Sequence, residues 1–103
     1  MFDPKQVQQM QKELHDRMEK VQADLKTKRV EGSAGGGIIV AIANGNREIE
    51  SITIKPEAID PDDAEMLQDL VIAAVNLALE KSRALNEEEM SKVTGGIKIP
   101  GLL

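Results

Sequence analysis

The run Leu67-Gln68-Asp69-Leu70-Val71-Ile72-Ala73-Ala74-Val75-Asn76-Leu77-Ala78-Leu79 decides how this chain folds. From Leu70 onward it is apolar on nearly every side, with Asn76 the one polar side chain. It lies inside a longer helical pattern. Asp60 is placed to cap that helix, with Pro61 at the first helical position, where a missing N–H costs nothing. Asp62, Asp63 and Glu65 suit the positive end of the macrodipole, Lys92 falls in the last turn, and Gly95-Gly96 ends the element. Asn86 before Glu87-Glu88-Glu89 predicts a kink by capping a fresh turn. A straight helix over about 61–94 is about 50 Å long, whereas a compact 100-residue domain has a radius of gyration of about 13 Å. The helix must therefore project beyond its own sheet. A small sheet covers one face of the apolar run, and each Leu or Val left wet on the other forgoes roughly 1.5–3 kcal/mol. A second copy supplies the missing cover, and symmetric dimers are the default way of doing so. The expected dimer interface is Leu67, Leu70, Val71, Ala74, Leu77 and Ala78.

Upstream, the spacing predicts a sheet over about 28–55. Arg29-Val30-Glu31-Gly32 reads as a short strand and Gly32 to Gly37 as a flexible turn. A β-branched run from Ile38 to Ala43 follows, with Ile38, Val40 and Ile42 alternating onto one face. Asn44-Gly45-Asn46 is a hairpin signal, because Asn and Gly tolerate positive φ. The return strand runs from about Glu48 to Lys55. Ile52 and Ile54 share a face that Ile49 does not, which predicts a bulge or an edge position.

The chain opens with a second helix, expected over about 4–27, with Asp3 as N-cap and Pro4 at the first position. Val7, Met10, Leu14, Met18, Val21 and Leu25 recur at the helical period and form one stripe. At 100° per residue, Lys5, Lys12, Lys20 and Lys26 fall on the face opposite that stripe, and Lys28 and Arg29 extend the basic character past the helix end. Asp16 and Glu19 share the outer face, and Glu13–Arg17 and Asp16–Lys20 are spaced to pair at i,i+4. The order is α-β-β-β-α, an α+β fold with an antiparallel three-stranded sheet and two long helices, in one domain over 1–103. A short tail, Ile97 to Leu103, lacks periodicity.

Composition removes several function classes. There are no cysteines and His15 is the single histidine, so disulfides, thiolate catalysis and Cys- or His-rich metal sites are excluded. Phe2 is the sole aromatic, which denies the chain the base-stacking grip of single-strand binders. The glycines from Gly32 to Gly37 lead into a strand and no Gly-Lys-Ser/Thr follows, so they do not make a nucleotide loop. The acidic groups read as a helix start and a solvated face, and His15 as a surface residue, so no catalytic site, cofactor, small-molecule substrate or membrane partner is expected. No leader or spanning segment is visible, and a cytoplasmic location is expected. Net charge is −5. It divides unevenly, since residues 1–29 carry seven bases against five acids and the remainder is acidic.

Taken in order, Gln9-Met10-Gln11-Lys12, Val30-Glu31-Gly32-Ser33-Ala34-Gly35-Gly36-Gly37, Asn44-Gly45, Ile52-Thr53-Ile54-Lys55-Pro56, Leu67-Gln68-Asp69-Leu70-Val71 and Val93-Thr94-Gly95-Gly96 closely resemble the YbaB/EbfC family of bacterial nucleoid-associated proteins. The resemblance covers essentially the whole chain. It implies a tweezer-shaped homodimer that binds DNA, with a role in nucleoid organisation and gene regulation and a location at the nucleoid. Members are commonly acidic overall, consistent with the charge here. The function expected is non-enzymatic, phosphate-driven binding of duplex DNA by a homodimer, with Lys5, Lys12, Lys20, Lys26, Lys28 and Arg29 as contacts. The rival is a dimeric protein-interaction adaptor that docks a partner through the acidic ends of the second helix and the apolar tail. Deleting the tail separates the two: an adaptor loses its partner, whereas DNA affinity barely changes.

Overall fold

The computed structural model describes residues 3–94. Helix α1 (Pro4–Thr27) leads into strands β1 (Arg29–Ala34), β2 (Ile39–Asn44) and β3 (Ile49–Ile54), a single 3₁₀ turn (Pro56–Ala58), and helix α2 (Ala64–Thr94). The Gly95-Gly96 stop and the tail from Ile97 to Leu103 lie outside the described residues.

Helix α1 begins where the sequence predicts. Asp3 accepts the Lys5 N–H (3.1 Å), and Gln6 reaches back to the Asp3 N–H (3.3 Å), a capping box with Pro4 at the first position. Helix α2 begins three residues later than expected. Asp60 closes a turn instead, its carboxylate accepting the Asp62 N–H (2.9 Å) and its carbonyl the Asp63 N–H (3.0 Å). Asp63 then takes the capping role, accepting the Met66 N–H at 3.2 Å. From Ala64 the helix runs without interruption past Asn86, whose amide donates to the Gly45 carbonyl (3.0 Å) rather than starting a new turn.

The sheet is antiparallel in the order β1-β2-β3. A register shift between Ile42 and Ala43 brings Ile49 opposite Ala43, and so onto the same face as Ile52 and Ile54, as the uneven pattern required. That face meets α2. It is Ile39, Ala41 and Ala43 of β2 that are buried there, while Val40 and Ile42 lie half-buried on the other side. The smaller residues win the inner face because α2 approaches very closely: Ala74 and Ala78 pack fully buried on β1 and β2. Gly32, expected where the strand meets the turn, sits inside β1 beneath them. A Cβ there would lie 2.3 Å from the Ala74 carbonyl oxygen. The turn proper is Gly35 to Ile38, with Gly35, Gly36 and Gly37 at positive φ.

Beyond the sheet, α1 runs back along the C-terminal third of α2, bringing Lys28 to Glu89 and Arg17 and Lys20 beside Lys92 and Val93. The N-terminal half of α1 continues past that contact, and every residue from Asp3 to Glu13 is exposed. The molecule is consequently long, 70 × 24 × 17 Å, with a radius of gyration of 19.6 Å against the roughly 13 Å of a compact domain this size.

Candidate nucleic-acid interface

The basic residues singled out from the sequence divide into two groups. Lys5, Lys12, Lys20 and Lys26 are exposed along α1 and form no ion pair among the described residues. Lys28 and Arg29 are also exposed, but both are engaged. Arg29 grips Glu50 with two nitrogens (Nε 3.1 Å, Nη2 3.2 Å) and donates to the Thr27 carbonyl at 3.1 Å. Lys28 lies 3.3 Å from Glu89, which also receives Lys92 at 3.2 Å. Hydrogen bonds from Lys92 and then Lys28 hold the Glu89 carboxyl below its ordinary value of 4.5. This pairing is complete above pH 4.5 and is lost as pH falls through the lower folded value.

Neither Glu13–Arg17 nor Asp16–Lys20 closes. The i,i+4 pair that forms on α1 is His15–Glu19 at 2.9 Å, and His15 is a surface residue. The outer lysines are therefore less neutralised by their own helix than their spacing suggests. Glu19, one of the two acids on that face, faces His15 instead.

The expected dimer interface is also divided. Ala74 and Ala78 are wholly buried against the sheet of their own chain, because Gly32 lets the helix down onto β1, so they face no second copy. Leu67, Leu70, Val71 and Leu77 are only half-buried. Helix α2 lies over β1 and β2 and barely reaches β3, which leaves an open apolar groove lined by Ile54, Leu67, Gln68, Val71 and Ile72. Ile72 is 57% exposed and Ile52, on the same face of β3 as Ile54, is 42% exposed. Ile54 and Ile72 belong to this exposed apolar surface and are not among the residues singled out from the sequence. The signal was present for Ile72, since two residues from Ala74 is 200° around the helix, nearly opposite the face that meets the sheet.

Residues 2–97 match the sequence profile of the YbaB/EbfC DNA-binding family. The chain belongs to that family. Among its relatives, a nucleoid-associated protein of Acetivibrio thermocellus is 56% identical over 99 residues, covering 95% of this chain and 84% of the relative. A nucleoid-associated protein of Chloroflexus aurantiacus is 51% identical, covering 94% and 97%. The crystal structure of an uncharacterized protein from Helicobacter pylori superposes with a TM-score of 0.76 at 17% identity, over 95% of this chain and 100% of that one, which shows the fold alone. No helix among the described residues of this YbaB/EbfC chain is long and apolar enough to cross a membrane, and no cluster of three or more His, Asp or Glu side chains there could hold a metal ion.

Proposed function

We propose that this chain is a non-enzymatic nucleoid-associated protein that binds duplex DNA as a homodimer, mainly through backbone phosphates. In that role it contributes to nucleoid organisation and gene regulation in the cytoplasm. The observation that carries the reading is helix α1 of a YbaB/EbfC family member: its N-terminal half stands clear of the core with Lys5 and Lys12, Lys20 and Lys26 are exposed on the half that packs against α2, and all four are unpaired among the described residues. Phosphate contacts of this kind release counterions, so affinity falls steeply with salt, and any sequence preference comes from DNA shape. Two arms on one dimer raise a weak patch by effective concentration. Sedimentation of the protein with a short duplex tests this: two chains per duplex are expected, and one chain per duplex, or free duplex, contradicts it.

A second copy covers the α2–β3 groove in this reading. Leu67, Leu70, Val71 and Leu77 stay in the proposed interface, Ala74 and Ala78 leave it, and Ile54 and Ile72 join it. An Ile or Leu moved from water into such an interface contributes roughly 1.5–3 kcal/mol, and two-fold symmetry counts each residue twice. Ile72→Glu places a charge in that contact and is expected to yield a folded monomer in analytical ultracentrifugation at micromolar concentration. A monomeric parent protein, or a dimeric variant, contradicts the assignment.

Lys28 is a contact held in reserve by Glu89. Glu89→Gln frees it and removes a negative charge from the arm's base, so DNA affinity should rise about threefold at low salt. An unchanged dissociation constant would remove Lys28 from the DNA surface.

A further inference from the structure

The tip of the β2–β3 hairpin carries a groove lined by Gln22 of α1, Asn46 and Arg47 of the tip, and Asn86 and Met90 of α2. Three carboxamides and one guanidinium face it, and no carboxylate lines it, in a chain whose net charge is −5. The Arg47 side chain makes no hydrogen bond or ion pair among the described residues, unlike Lys28, Arg29 and Lys92. Of the acids next to the groove in sequence, Glu48 accepts from the Asn44 amide (2.9 Å) and Glu19 pairs with His15, while Glu87, one helical turn from Met90, is exposed.

The backbone at Arg47 is unusual. Among the described residues with a side chain, it alone has positive φ, at 64°. The sequence predicts that Asn44, Gly45 or Asn46 would take that conformation, but none does. Gly45 is required for a different reason: a Cβ there would lie 2.7 Å from the Leu25 side chain and 2.8 Å from the Leu25 carbonyl. Three-residue hairpin loops commonly end on a left-handed residue, and glycine fits it best. An L-residue with a Cβ is strained there, and strain of this sort concentrates at ligand-binding positions.

The loop is also held firmly. The buried Ser82 hydroxyl donates to the Asn44 carbonyl (2.6 Å) and accepts the Arg47 N–H (2.9 Å). The Asn44 side chain accepts the N–H groups of Asn46 (2.9 Å) and Glu48 (3.1 Å), and Asn46 donates to the Gln22 carbonyl at 3.1 Å. A guanidinium presented from a fixed backbone loses little entropy on binding. Helical spacing puts Lys26 one turn from Gln22 and Arg83 one turn from Asn86, so both flank the groove.

We propose that this groove is a second phosphate site for duplex DNA, in which the Arg47 fork grips a backbone phosphodiester while the carboxamides supply further donors. The assignment rests on the DNA-binding reading above. Gln22 lies about 25 Å along α1 from Lys5, so one duplex turn of about 34 Å spans both sites.

Arg47→Gly tests it, because glycine removes both the guanidinium and the strain. The variant is expected to melt at or above the temperature of the parent, yet to bind a duplex about tenfold more weakly at about 50 mM salt. Its log–log salt slope should be shallower by about 2 per dimer, one phosphate from each protomer. Arg47→Lys should keep most of that slope. Unchanged affinity and slope in Arg47→Gly, while reversal of the α1 lysines abolishes binding, would overturn the site and leave the DNA reading standing. A parent protein that binds no duplex would overturn both. A melting temperature that falls together with affinity would make Arg47 a turn-holding residue and overturn the proposal. Inorganic phosphate at matched ionic strength should leave the duplex bound; displacement from the parent but not from Arg47→Gly would assign the groove to a small free anion instead.

Discussion

Gly32→Ala is expected to destabilise the fold by roughly 3 kcal/mol, the upper end for overpacking a tight contact. That lowers the melting temperature by on the order of 15 °C for a domain this size. The added methyl group would lie 2.3 Å from the Ala74 carbonyl oxygen and 2.4 Å from the Ala78 amide nitrogen. Both are backbone atoms of α2, so no side-chain rotation relieves the clash. The helix must lift from β1, and with it go Ala74 and Ala78, which share the buried cluster with Ile39, Ala41 and Ala43. Gly32→Val should prevent folding. Gly36→Ala is the control: its Cβ meets nothing within 4 Å, and only the positive φ of 73° opposes it. Circular dichroism melts rank the three variants, and a Gly32→Ala loss no larger than that of Gly36→Ala would mean that α2 can stand off the sheet.

Simultaneous reversal of Lys5, Lys12 and Lys20 to Glu is expected to weaken duplex binding at least about 100-fold at about 50 mM salt. In a dimer it removes six cations from the two arms and replaces them with charges that repel phosphate. Each phosphate contact contributes about 0.9 to the salt slope, so the residual slope should collapse as well. The three side chains are exposed and unpaired among the described residues, so the dimer mass and helix content should be those of the parent. The corresponding Lys→Gln variant removes contacts without adding repulsion and should fall between the two. Retained affinity in the Glu variant would show that the α1 arm is not the DNA surface.

Much of this architecture is legible in the sequence because it rests on local rules. The Asp3 cap, the Pro4 start and the bulge implied by Ile49 each depend on neighbours a few residues away, whereas the α1 stripe is buried only toward Leu25, with Val7 and Met10 exposed. Features set by distant contacts are not legible in this way. Gly32 looks like part of a glycine turn until α2 is seen to cross directly above it. For the same reason Ala74 and Ala78, part of an apolar run that looked free for a second copy, are used within the chain. Gly45 looks like a turn glycine, although the space it leaves belongs to Leu25 and the positive φ falls on Arg47. The candidate contacts were visible as charges, but their partners were not. That Lys28 and Arg29 are tied to Glu89 and Glu50 follows from β1 and β3 flanking β2, so that Arg29 reaches Glu50 across it, and from α1 folding back on α2.

A dimer of this acidic chain is expected to hold duplex DNA by its phosphates. Fluorescence anisotropy of two unrelated duplexes, titrated with the purified protein from about 50 to 200 mM salt, tests it most directly. Similar affinities for both duplexes, falling steeply and linearly on a log–log plot, are predicted. No binding at about 50 mM salt, or affinity that ignores salt, would contradict phosphate-driven binding.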